Sequence, residues 1–182
     1  MSTRFHLDKS KPVMIIQNGW DDFREYCDWM EKQRLPMAIQ DDLPSALDEV
    51  TRAPRAWNQL IIRMDRLGTH KDLVPQIIAF REKVPSVPVI VTTRTAPRNC
   101  FALENLYVCD VLLHEPSDMN SFEFALAVAP INNEVWKRRQ SIETASRKVD
   151  PSRADNIVPL TRRPAAQTSA GGWRQEKPNS FA

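Results

Sequence analysis

The apolar residues of this chain fall into five short runs separated by amphipathic stretches. Pro12-Val-Met-Ile-Ile16, Met37-Ala-Ile39, Gln59-Leu-Ile-Ile-Arg-Met-Asp65, Val87-Pro-Val-Ile-Val91 and Tyr107-Val-Cys-Asp-Val-Leu-Leu113 each read as a buried strand. Between the first two runs, Trp20, Phe23, Cys27 and Met30 recur at helical spacing behind Asp21, a good N-cap. A second helix is predicted over residues 45–51 on Ala46, Leu47 and Val50. A third covers residues 70–83 on Leu73, Ile77, Ile78 and Phe80, with Pro75 near its start. A short fourth helix is expected over residues 99–106. A long helical pattern then follows, with Phe124, Val128, Ile131 and Val135 as its apolar stripe and a kink or break expected at Pro130.

Strands alternating with helices imply crossover connections and a parallel sheet. The expected fold is α/β: a five-stranded parallel doubly wound sheet with an extended C-terminal helix and a disordered basic tail. Residues 1–11 form a flexible start, 12–136 the domain, 137–150 a basic helical extension and 151–182 the tail. The tail is rich in Pro, Ser, Ala, Arg and Gln and has no periodicity.

Charge sharpens this division. Residues 137–182 hold ten Lys and Arg against four Asp and Glu, a net of +6, so residues 1–136 carry −4 of the total +2. Cys27, Cys100 and Cys109 are odd in number, widely spaced and set in apolar patterns, which points to buried reduced thiols and against disulfides or zinc. No run approaches transmembrane length, and the polar N-terminus has no signal-peptide core, so a cytoplasmic, non-membrane protein is expected.

In open parallel sheets, ligands gather beyond the carboxyl ends of the strands. Asp65 falls at that edge. The chain has only four glycines, and Asp21-Asp22 follow the first strand. Without a glycine-rich loop, FMN and NAD are disfavoured. The histidines are scattered, no nucleophile–base spacing is visible, and an enzyme is not expected. No metal site and no cofactor are expected.

With the strands in place, residues 12 to about 136 resemble the receiver domain of bacterial response regulators, a flavodoxin-like fold. Asp65 matches the phosphoacceptor position at the end of strand three. Pro88-Val-Ile-Val-Thr-Thr93 resembles strand four, which makes Thr93 the switch hydroxyl. Asp110-Val-Leu-Leu-His-Glu-Pro116 resembles the strand-five signature. The departures from the family pattern matter more. The acid pair that holds Mg²⁺ is replaced by Gln17 and Asn18. The lysine that pairs with the phosphoryl group is replaced by Glu115. The aromatic switch position is Leu112, and the loop after the phosphoacceptor reads Arg66-Leu-Gly-Thr69.

Aspartyl phosphorylation needs a hard cation with oxygen ligands. A carboxylate at position 115 opposes a phosphoryl group by several kcal/mol at an intermediate dielectric. The resemblance therefore implies a degenerate pocket of Gln17, Asn18, Asp65, Thr93 and Glu115. It implies a non-catalytic signalling adaptor that acts through a protein partner. The alternatives are a single-domain response regulator phosphorylated on Asp65, and a binder of nucleic acid or a cyclic dinucleotide through the basic extension. By resemblance, the face of helix four, strand five and helix five pairs with partners or a second copy. That makes Phe101, Leu106, Tyr107 and Leu112 candidates there. Trp136, Arg138, Arg139, Arg162, Arg163 and Trp173 are the candidates in the extension and tail.

Overall fold

A computed structural model describes residues 9–19 and 23–149. The expectations for residues 1–8, 20–22 and 150–182, including the flexible start, Arg162, Arg163 and Trp173, lie outside the described residues.

The strands are β1 (Val13–Ile16), β2 (Met37–Gln40), β3 (Gln59–Arg63), β4 (Val89–Thr93) and β5 (Val111–His114). The helices are α1 (Arg24–Lys32), α2 (Leu43–Arg52), α3 (His70–Lys83) and α4 (Met119–Val149). All strand pairs are parallel, in the order β2-β1-β3-β4-β5. The doubly wound sheet is therefore as the patterning predicts.

Alternation along each strand divides the core in two. Met14, Ile16, Leu60, Ile62, Val89 and Val91 pack with α2 and α3 on one face. Val13, Ile15, Ile61, Ile90, Val111 and Leu113 pack with α1 and α4 on the other. Cys27 and Cys109 are buried, while Cys100 is half-buried. Burial pushes the Cys109 thiol up to about 12.

Local differences have local causes. Helix α2 starts at Leu43, because Asp42 accepts the amide N–H of Ser45 at 2.9 Å and caps it. Strand β3 ends at Arg63, and Asp65 lies in the 3₁₀ turn Met64–Arg66 just beyond it. Helix α1 begins at Arg24 with Phe23 at its N-cap.

The expected helix over residues 99–106 does not form; only a 3₁₀ turn, Leu103–Asn105, is present. Its chain is used instead to cover the outer edge of β5. Cys100 and Leu112 exchange backbone hydrogen bonds at 2.7 and 2.9 Å, and the Asn99 side chain accepts the His114 amide N–H at 2.8 Å. That edge would otherwise leave backbone groups unpaired.

Helix α4 is continuous through Pro130, so no break occurs there. Its buried face is not the predicted stripe. Phe122, Ala125, Leu126, Ala129 and Trp136 turn inward, while Phe124 is 42% and Ile131 62% exposed. Ala125 and Ala129 let the helix lie close to the sheet, Phe122 and Leu126 fill the core beside them, and Val128 of the predicted stripe packs partly against that core.

Candidate functional site

The same alternation aims four side chains off one face at the carboxyl edge of the sheet. Gln17 continues the Val13–Ile15 series, Arg63 follows Ile61, Thr92 follows Ile90 and Glu115 follows Leu113. They meet in one buried cluster. Arg63 donates from Nε to Glu115 Oε1 and from Nη2 to Oε2, both at 2.9 Å. Its Nη1 donates to Gln17 Oε1 at 3.2 Å. Thr92 donates its hydroxyl to Glu115 Oε1. The guanidinium carbon lies 4.9 Å from the centre of the Phe23 ring, a cation–π contact.

Burial alone would raise the Glu115 pKa. Hydrogen bonds from Arg63 and Thr92, with the charge of Arg63, outweigh it and hold the carboxyl below its ordinary value. Bidentate pairing in a low dielectric is the strong form of this interaction.

Asp65 sits apart at the rim. Thr93 donates its hydroxyl to Oδ1 at 2.8 Å, and the Arg94 amide donates to Oδ2 at 2.5 Å. His70 Nε2 is 3.4 Å from Oδ1. Partial burial pushes the Asp65 pKa up, but these donors outweigh it and leave the pKa lowered. Thr93 is thus brought to Asp65, and Gln17 to Glu115. Asn18 is exposed on the loop after β1.

The residues do not suit the magnesium ion that the resemblance implies. Glu115 is already neutralised by a guanidinium at the heart of the cluster. Gln17 gives its oxygen to the same guanidinium, and its Nε2, a donor, has no partner among the described residues. Hard cations need several free oxygen ligands. Among the described residues no group of three His, Cys, Asp or Glu could hold a metal.

A second buried pair lies at the opposite, amino edge of the sheet. Arg81 makes two 2.8 Å hydrogen bonds to the Asp110 carboxylate, and that carboxylate also accepts the Val89 amide at 2.7 Å. Arg81 lies 5.0 Å from the Trp136 ring centre, and Trp136 Nε1 donates to the Arg81 carbonyl at 3.3 Å. Asn132 donates to the carbonyls of Phe101 and Asp110 at 2.9 and 2.7 Å. This network fastens α4 to α3 and to the chain before β5.

It also corrects two of the surface candidates. Leu106 and Trp136 are each 1% exposed and belong to the interior. Phe101 and Leu112 are half-buried, Tyr107 is 56% exposed, and Arg138 and Arg139 are exposed.

Comparison with solved structures places this geometry. A response regulator receiver domain protein from Clostridium thermocellum superposes with a TM-score of 0.52 at 12% identity, over 69% of this chain and 98% of that one. The chain has a receiver-like fold. The response regulator StyR also matches, with a TM-score of 0.47 at 20% identity, over 78% of this chain and 70% of StyR. So does the lysine decarboxylase LdcF of Francisella novicida, with a TM-score of 0.44 at 8% identity, over 71% of this chain and 18% of the enzyme. No protein-family model and no curated protein matches the chain by sequence.

On this receiver-like scaffold, Asp65, Thr93 and Glu115 stand at the three strand ends that the resemblance assigns. What sequence reasoning missed is the pairing of Arg63 with Glu115. Its signal was present: an arginine inside a buried strand needs a buried acid, and Glu115 is the acid whose strand-end position faces it. No helix among the described residues is long and apolar enough to cross a membrane.

Proposed function

We propose that this protein is a receiver-like signalling module that works through protein contacts and not through phosphorylation of Asp65. One observation carries the reading. The bidentate Arg63–Glu115 pair fills the inner pocket with a charge arrangement already satisfied from within. A cation site and a phosphoryl site both require free charge there, and the pair leaves neither. The rim carboxylate is likewise engaged, by Thr93 and the Arg94 amide. The module is then held in one state, and its output is the surface it presents. Phe101, Tyr107 and the outer side of α4 are the exposed or half-buried apolar parts of that surface.

The test is acyl-phosphate labelling. The purified chain is incubated with acetyl phosphate and Mg²⁺ and its intact mass is measured, beside an Asp65→Asn control. No phosphoryl adduct is expected on either. An adduct lost in Asp65→Asn would replace this reading with a working phosphoacceptor. A paired binding assay with beryllofluoride and Mg²⁺, followed by NMR of the Thr93 region, is expected to show no shift.

A further inference from the structure

The outer side of α4 carries a pattern that the domain uses only in part. Phe124, Val128, Ile131 and Val135 are spaced alternately four and three apart, and the series continues through Arg138, Ile142 and Ala145. This is a 3.5-residue repeat sustained over three heptads. Val128, Val135 and Ile142 take the a positions, all β-branched. Phe124, Ile131, Arg138 and Ala145 take the d positions. β-branched residues at a belong to the pattern of parallel two-stranded coiled coils, whose usual leucine at d is replaced here by Phe, Ile, Arg and Ala.

The lower part of the stripe faces solvent: Ile131 is 62% and Ile142 66% exposed. Its upper part touches the domain, with Phe124 edge-to-face on Phe101 and Val128 half-buried beside the core, while Val135 is half-buried. The main contact with the sheet is made by another side of the helix, through Phe122, Leu126 and Ala129, with Trp136 buried below them. Helix α4 has 31 residues, so it is about 46 Å long at 1.5 Å per residue. After Trp136, one side of the helix lines an open groove with Glu82, Pro85 and Ser86 through Lys137, Gln140, Ser141, Thr144 and Ala145. Pro130 falls at a c position, away from the seam.

We propose that this stripe pairs with a second copy of the chain as a parallel coiled coil, with the two receiver-like domains side by side. The inference rests on the reading that the protein acts through protein contacts, and it names the partner. Charge supports the choice of occupant and of direction. Glu134 is a g residue and Arg139 the e residue five positions on, the pair that parallel strands bring together across the seam. Both are exposed. An antiparallel arrangement sets g against g and e against e and separates them. Arg138 at d faces its own copy, which weakens the seam at one layer and keeps the pair dissociable.

The experiment is sedimentation equilibrium of the full chain up to roughly 100 µM, with variants chosen from exposed positions. A concentration-dependent dimer is expected. Ile131→Asp and Ile142→Asp are each expected to weaken it by roughly tenfold or more, and Arg138→Leu to tighten it by a similar factor. Circular dichroism and the melting temperature report whether each variant remains folded. Direction is read by oxidising Ile142→Cys: a parallel seam gives a cross-linked dimer well above the wild-type background.

A chain monomeric throughout would overturn the proposal and leave the stripe to a helix of another protein. A dimer indifferent to both aspartates, or tightened Arg138→Leu without the Ile142→Cys cross-link, would overturn it as well. These outcomes are independent of acyl-phosphate labelling, so failure of one reading does not masquerade as failure of the other.

Discussion

Glu115 decides the character of the site, and its effect is measurable one substitution at a time. Glu115→Gln leaves the Arg63 cation buried without its counter-charge. Breaking one side of a buried pair typically costs about 3–5 kcal/mol. Urea denaturation should show a loss of that size. Replacing both partners, Arg63→Met with Glu115→Leu, should return stability to within about 1 kcal/mol of wild type or above it, since no uncompensated charge remains. A loss that persists in the double variant would mean that hydrogen bonds to Gln17 and Thr92, and not charge, hold the cluster. At this scale the sequence was partly legible. Asp65, Thr93 and Glu115 are placed by strand ends, and strand ends follow from apolar runs. The pairing of Arg63 was hidden because its partner lies far along the chain and on a different strand, where only the fold joins them.

Helix α4 shows how an element can be read correctly and oriented wrongly. Its length and course follow from the pattern, yet of the apolar residues that mark the stripe Phe124 and Ile131 are exposed and Val128 packs only partly against the core. Ala125 and Ala129 meet the sheet because a helix lying on a sheet needs small residues at closest approach. Trp136 was grouped with Lys137, Arg138 and Arg139 as surface, because its neighbours are basic. In fact it closes the Arg81–Asp110 network. Trp136→Ala should therefore cost about 3–5 kcal/mol, as expected for a fully buried large aromatic. Chemical denaturation would check the size. Hydrogen exchange should localise the added opening to α4 and to the C-terminal end of α3. Uniform exchange across the sheet would argue against the network as the fastening. The missing helix over residues 99–106 has a similar explanation. Edge coverage of β5 outweighs a weak local preference, and nothing within a single segment reveals that competition.

For the molecule as a whole, two carboxylates tie stability to acidity in a fixed direction. Glu115 and Asp65 both have lowered pKa values in the folded chain. Each contribution is fully present above the unfolded values, 4.5 and 3.8, and is lost as pH falls through the lower folded values. The free energy of unfolding is expected to be flat near neutrality and to decline as pH drops below about 5. Equilibrium melts across that range check it. The double variant lacking Arg63 and Glu115 should show a shallower decline, and an unchanged slope would assign the acid sensitivity elsewhere.

The buried Arg63–Glu115 pair also constrains how these two positions can change. A lysine at position 115 while Arg63 remains would bury two cations together. An apolar residue at 63 alone would strand Glu115. Either step alone costs stability that a change at the other position would recover. The pair therefore acts as a ratchet: homologues of this chain should change positions 63 and 115 in concert or leave both untouched.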